Sequence, residues 1–321
     1  MGNLYQNNLD LSRTPSFINY IDSKSNKVLL HYGDIAITLT GTNNKRDFGY
    51  SYMFTTEQNL LLNQRCGLIR TEHNPYFVYN LVKTNSFLNQ FFESSTGGTG
   101  NQANVSTKSM ESFSVYIPKS KEQRKIADLL RLLDERIATQ NKIIDKLQSL
   151  IKGIADKLFQ TARTTKPLLE FAPNITSGTD KSGSGTIPLY GSTGIIGTVK
   201  NASQKGNIVL VARVGTIGTV QYVNEPCGVS DNALIVEAGE MTKYIYHFLK
   251  TYNFARITSG TTQPLITASS LKKAAIPTYD IESQTRIVLC LNGLEKKLDI
   301  AKQYLSEIAV MKQYLLRQMF V

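Results

Sequence analysis

The sequence predicts an α+β protein in which two pseudo-symmetric α/β domains are separated by a long antiparallel two-helix coiled coil. Three observations predict it. Ten positions of one half, Ile126, Leu130, Leu133, Ile137, Gln140, Ile144, Leu147, Ile151, Ile154 and Leu158, step 4, 3, 4, 3, the a/d seam of a coiled coil. They recur in register as Ile287, Leu291, Leu294, Leu298, Ala301, Leu305, Ile308, Lys312, Leu315 and Met319. Every pair lies 161 residues apart in a chain of 321, so the chain reads as a tandem duplication with each half ending in a long helix.

The repeat extends upstream. Tyr76 to Phe87 is similar to Tyr244 to Phe254, and Gly33-Asp34-Ile35-Ala36-Ile37 to Gly206-Asn207-Ile208-Val209-Leu210. Thr99-Gly100-Asn101-Gln102 with Val105-Ser106 matches Gly260-Thr261-Thr262-Gln263 with Ile266-Thr267. A proline precedes each helix, Pro118 and Pro277, with Gln123 and Gln284 in the first turns. The expected boundaries are 1–118 and 164–278 for the domains and 119–163 and 279–321 for the helices. A domain between the helices makes antiparallel pairing natural, with Ile126 near Met319 and Leu158 near Ile287. Gln140 and Lys312 interrupt the seam. Each either snorkels at an edge or fixes register.

Within the first domain, residues 28–40 read as strand material around the Gly33-Asp34 turn. Residues 41–49 read as a polar loop, 75–93 as one amphipathic helix opened by Asn74-Pro75, 94–104 as an exposed loop, and Ser114 to Ile117 as a short strand. In the second, 187–197 and 207–223 alternate β-type residues with glycines, 241–254 read as a helix, and 258–264 repeat the polar loop. Short strands with one or two helices imply an α+β or α/β domain.

A net charge of +11 and a pI near 9.4 favour a polyanionic or acidic partner. The excess is dispersed: +5 over 119–165, +4 over 166–278, and +1 in each remaining segment. Cys66, Cys227 and Cys290 lack CxxC spacing, which argues against zinc and a disulfide framework and for a reducing cytosol. Cys290, beside the seam, is expected to pack. No signal-peptide pattern or membrane-length apolar run is present, so a soluble, cytoplasmic protein with no membrane partner is expected.

No catalytic motif stands out. Transfer of a methyl group to a base amine needs an Asp/Asn-Pro-Pro-Tyr/Phe loop, and Asn74-Pro75-Tyr76 lacks the second proline. Gly183-Ser184-Gly185 and Gly215-Thr216-Ile217-Gly218 are not followed by Gly-Lys-Ser/Thr, which excludes a P-loop. His31, His73 and His247 have no metal-ligand spacing, and the scattered acids form no nuclease cluster. The chain is expected to perform no chemistry itself and to hold no cofactor or metal.

The order of motifs resembles the specificity subunit of type I restriction–modification systems. The residues carrying it are Gly33-Asp34, Gly100 to Ser106, Ile117-Pro118, Glu122 to Ile126 and Leu133 to Ile137. In the second copy they are Ile187 to Gly197, Gly206-Asn207, Thr261 to Thr267, Ile276-Pro277 and Ser283 to Ile287. The resemblance implies two target-recognition domains, each reading half of a bipartite double-stranded DNA site. It implies a coil that sets the spacer and docks two adenine-methyltransferase subunits, which motor–nuclease subunits can join. S-adenosylmethionine, ATP and Mg2+ then belong to the partners. One departure stands out. Some 23 residues, Lys166 to Pro188, precede Leu189-Tyr190-Gly191-Ser192, whereas the first domain starts almost directly at Leu4-Tyr5-Gln6-Asn7-Asn8. Its opening strand is expected to be missing.

Base reading needs Arg, Lys, Asn and Gln on loops, and phosphate binding needs basic or hydroxyl groups. That criterion selects Thr42, Asn43, Asn44, Lys45, Arg46, Thr99, Asn101 and Gln102. In the second domain it selects Ser192, Thr193, Lys200, Arg213, Thr216, Thr261, Thr262 and Gln263. The plainer reading of each is a solvated loop residue. At the level of the chain, the alternative to a DNA reader is an orphan or truncated scaffold that binds methyltransferase subunits without recognising DNA.

Overall fold

The computed structural model describes the chain except Met1, Thr14, Pro15, Lys24, Glu57, Gln58, residues 98–100 and 261–263, and Val321. Among the described residues the α-helices are α1 (Pro75–Leu81), α2 (Asn85–Glu93), α3 (Thr107–Glu111), α4 (Ser120–Gln160), α5 (Thr242–Thr251), α6 (Ala268–Lys272) and α7 (Ile281–Met319). The chain divides into two compact units, Met1–Asn141 with Gln303–Val321, and Lys142–Lys302. Both units therefore contain a stretch of α4 and a stretch of α7.

In the first unit the strand Ile35–Thr38 is buried throughout and pairs antiparallel with Ser51–Met53 and Cys66–Ile69. Side chains alternate across a strand. Ile35 and Ile37 accordingly join a core with Phe77, Leu81, Phe87, Phe91, Ile126, Leu130 and Leu316, while Ala36 joins Leu4, Leu30 and Phe54. Gly33 enters the strand at φ +86°, a left-handed turn that glycine adopts without strain. Thr40–Thr42 pairs with Gln102–Asn104. The 94–104 stretch is thus partly strand, with Ala103 fully buried, and not wholly an exposed loop.

The expected helix over 75–93 is two helices. Asn74 caps α1 by accepting the Phe77 N–H at 3.0 Å, as its Asn-Pro start predicts. The Thr84 hydroxyl then donates to the Leu81 carbonyl and accepts the Phe87 N–H, ending one helix and opening the next. Val28–Leu30 form no strand beyond an isolated Leu29–Leu61 bridge. Ser114 to Ile117 are not a strand either: Ser114 bonds the Gln90 side chain, and among the described residues no neighbouring strand takes up the rest.

The second unit repeats this plan with more sheet. Ile208–Ala212 is buried at the centre of a four-stranded antiparallel sheet, between Val220–Val223 and Ala233–Val236, with Thr176–Ser177 at the far edge. A hairpin, Ile187–Tyr190 with Ile195–Val199, adds Gly228–Val229 in parallel. Thr164–Pro167 pairs with Ala275–Thr278.

Every seam position is buried or half-buried along both long helices, among them Ile126, Leu130, Leu133, Ile137, Ile144, Leu147, Ile151 and Leu158 in α4. Ile287, Leu291, Leu294, Leu298, Leu305, Ile308, Leu315 and Met319 are their counterparts in α7. Within the first unit the helices run antiparallel: Asp134 meets Lys312, and Arg136 lies beside Tyr304. Within the second, Leu158 accepts a hydrogen bond from Tyr279, just before α7, and Ala155 shares a core with Ile287 and Leu291. Lys312 neither snorkels nor disrupts, because its ammonium pairs with Asp134 across the seam. Gln140 is buried. Cys290, expected to pack, is exposed: it stands one position before Leu291, on the flank away from the apolar line.

Candidate nucleic-acid interface

The candidates of the first unit come together although some 57 residues of chain separate them. The Thr40–Thr42 to Gln102–Asn104 ladder is extended by Asn43 N–H to the Asn101 carbonyl (3.0 Å) and Asn44 N–H to Asn101 Oδ1 (3.1 Å). Asn101 and Arg46 hold φ at +63° and +46°, left-handed geometry that Asn tolerates best among non-glycines. Asp47 fixes the loop base by accepting from the Thr42 backbone (2.6 Å) and hydroxyl (2.9 Å), and these bonds hold its carboxyl below the usual carboxylate range. The Arg46 guanidinium lies 5.1 Å from the centre of the Phe92 ring. Asn43, Asn44, Lys45, Arg46, Asn101 and Gln102 are all exposed. Thr42 is the exception, half-buried with its hydroxyl committed to Asp47.

In the second unit, Ser192 and Thr193 form the tip of the 191–194 turn, closed by Gly191 N–H to the Gly194 carbonyl and held by Gln221 on the Gly191 carbonyl. The Arg213–Thr216 turn is adjacent, since a Cβ placed on Gly215 would lie 3.9 Å from Ser192 Oγ. Arg213 is half-buried, its backbone anchored by its N–H on the Asn232 carbonyl and by Ile266 N–H on its own carbonyl. Lys200 does not join this group. It lies at the other end of Ile195–Val199, a five-residue strand about 17 Å long. Thr99, Thr261, Thr262 and Gln263 lie outside the described residues.

A similar backbone bond recurs in both units. Val105 N–H donates to the Leu39 carbonyl at 2.9 Å, and Ile266 N–H donates to the Arg213 carbonyl at 3.0 Å. In each unit this bond ties the loop leaving the central strand to the segment that follows the polar loop. Sequence reasoning missed Asp47, Phe92, Gln221 and Asn232, which position the candidates. Their partners are distant in the chain, and no local pattern marks such pairs. Among the described residues no group of three His, Cys, Asp or Glu could hold a metal ion, and no helix is long and apolar enough to cross a membrane.

A duplicated α+β unit that presents paired polar loops and shares two long helices defines a class of tandem recognition protein. Residues 3–149 and 165–310 each match the family described as the type I restriction modification DNA specificity domain, and the chain belongs to that family. Its fold is similar to the crystal structure of the type I restriction-modification S subunit from M. genitalium (TM-score 0.65, 19% identity, 91% of this chain and 84% of that one). It is also similar to a chain from a study of complex assembly and conformational transition of the type I R-M system (TM-score 0.58, 15% identity, 91% and 82%). No curated protein matches the sequence. The chain is a DNA sequence-specificity subunit of the type I restriction–modification kind.

Proposed function

We propose that the chain reads a bipartite double-stranded DNA site, one half with each unit, and performs no catalysis itself. The observation that carries this is the pair of similar backbone bonds at Leu39–Val105 and Arg213–Ile266. In the first unit the bond lies beside the exposed amide and basic side chains of Asn43 to Arg46, and in the second beside the half-buried Arg213 and the exposed Thr216. Asn43, Asn44, Asn101 and Gln102 supply base-edge donors and acceptors, while Lys45 and Arg46 supply charge for phosphate or guanine. Arg213, Ser192, Thr193 and Thr216 play these parts in the second unit, and Thr99, Thr261, Thr262 and Gln263 add further DNA contacts. Lys200 contacts phosphate outside the base-reading cluster. The coil fixes the unspecified spacer and docks two adenine-methyltransferase subunits, which motor–nuclease subunits join in the cytoplasm. S-adenosylmethionine, ATP and Mg2+ are held by those subunits.

Selection of bound sequences from a random duplex pool, by this chain with its methyltransferase, tests the reading. Two separated half-sites are expected. Asn44→Ala with Arg46→Ala is expected to relax one half only, at about 1–3 kcal/mol per lost base contact. Assembly with the methyltransferase and no selection of sequence would show a scaffold instead. Binding should also fall steeply with salt.

A further inference from the structure

We propose that α2 of the first unit is a second reading element, which sets Asn89 and Glu93 against base edges in the major groove beside the 43–46 loop. Glu93 accepts from the exocyclic amine of a cytosine, and Asn89 pairs with an adenine one or two steps away. The inference rests on the DNA-reading role proposed above and adds residues and base chemistry to it.

α2 has two unlike faces. Phe87 and Phe91, one turn apart, are buried in the core and anchor the helix. Asn85, Asn89 and Glu93 step by four along the opposite side and are exposed. Two contacts hold that side beside the loop. Phe92, which carries the Arg46 guanidinium on its ring, packs edge-on against Phe48 with 5.2 Å between ring centres. Just past the helix, the Ser95 hydroxyl donates to Asn43 Oδ1 at 3.4 Å. Between loop and helix lies an open cleft of about 310 Å³ lined by Asn43, Arg46, Phe48, Asn89, Phe92 and Glu93.

The chemistry of that cleft selects its occupant. Among the described residues Asn89 makes no side-chain hydrogen bond and Glu93 no ion pair. Glu93 is also the last residue of α2, where the helix dipole disfavours an acid, so helix stability does not explain it. A carboxylate beside Arg46 repels phosphate and suits an edge that offers both donors and acceptors. Glutamate accepts from cytosine N4, asparagine pairs with adenine N6 and N7, and arginine donates to guanine. Four residues of helix rise about 6 Å, so Asn89 and Glu93 are spaced by about two base-pair steps of 3.4 Å. The major groove, about 12 Å wide, admits a helix. In the second unit the chain after α5 makes only the turn Phe254–Arg256 before the strand Thr258–Ser259, so this element serves one half-site.

The test is selection of bound sequences from a random duplex pool by the full chain with its methyltransferase, comparing the unaltered chain with Glu93→Gln, Asn89→Ala and Glu93→Lys. Thermal midpoints are read in parallel and should not move, because both side chains are exposed. Glu93→Gln and Asn89→Ala are each expected to erase the preference at one position of one half-site, with about a fivefold or greater loss on the preferred base. The other half-site and the gap should stay the same. Glu93→Lys is expected to exchange cytosine for guanine at the Glu93 position. If the unaltered chain selects two half-sites and all three variants select the same ones, α2 reads nothing and the loops alone do. A uniform gain in affinity from Glu93→Lys, with no change of base, would place the cleft on phosphate and overturn the proposal. Loss of methyltransferase assembly in Glu93→Gln would make the cleft a protein contact and overturn it too. No selection of sequence by the unaltered chain would overturn the DNA-reading role itself, and this inference with it.

Discussion

Lys83 in the first unit and Lys250 in the second occupy equivalent places at the end of α1 and α5, each reaching toward an acid of a long helix, Asp134 or Glu295, 161 residues apart. Glu295 serves Lys250 directly. Burial, the largest single influence, would lower that lysine, but the hydrogen bonds and charges of Glu295 and Tyr246 together outweigh it and hold it above the ordinary value. Asp134 instead takes the ammonium of Lys312 and the hydroxyl of Tyr76. Lys83 is left over the Tyr79 ring, 3.2 Å from its centre. Burial and the positive Lys312 push it down to about 7, with Asp134 opposing. Burial is the larger influence, and a seam substitution adds to it, since the position of Lys312 is Ile151 in the other copy. A duplicated scaffold has kept its geometry while one helix position redistributed its charge.

The largest effect tests what the units share. Leu294→Pro removes a backbone donor in α7 and should cost about 3 kcal/mol or more, lowering the thermal midpoint and abolishing assembly with methyltransferase subunits. Unchanged melting would break the common seam. Leu168→Ala tests the core of the second unit and should cost about 2–5 kcal/mol in urea denaturation, because that side chain is wholly buried. A near-zero cost would mean that this core contributes little to stability.

Asp134→Asn against Glu295→Gln sharpens the contrast in charge. Asp134 is one-third exposed and Lys312 about one-seventh, so the pair is only partly screened. Its loss should cost about 1–2 kcal/mol, and the loss at Glu295 less, because Lys250 is more exposed. The smallest effect is in pH. Lys83 has a folded value below its unfolded one, so between about pH 7 and 10 the unfolded chain binds the extra proton and stability rises with pH, by up to about 1 kcal/mol per unit. Lys83→Met should flatten that slope. Lys250, whose folded value is raised, should lose its contribution only in more alkaline solution, and Lys250→Met should leave the slope intact. Denaturation midpoints across the range check both.

The long helices were legible because a coiled-coil period is local and repeats. The Asn74 cap was legible for the same reason. The break at Thr84 was not, because a threonine in an apolar stripe reads as helix until its hydroxyl takes the bonds that end one. Ser114 to Ile117 alternates like a strand, yet a strand needs a partner, and that partner is a property of the fold. The candidate loops were found by residue type. What holds them, Asp47 on Thr42, Phe92 under Arg46 and Val105 on Leu39, joins residues from five to some 66 positions apart with no spacing rule.

The central claim is that two readers are set apart by a helical ruler. Removing one heptad from each long helix, at matched positions 161 apart, keeps both seams apolar and shortens the coil by about 10 Å. At about 3.4 Å per base pair that is roughly three base pairs of spacer. Methylation mapping in cells carrying the shortened chain should show the same two half-sites with a gap about three base pairs shorter. An unchanged gap, or altered half-site bases, would contradict the account.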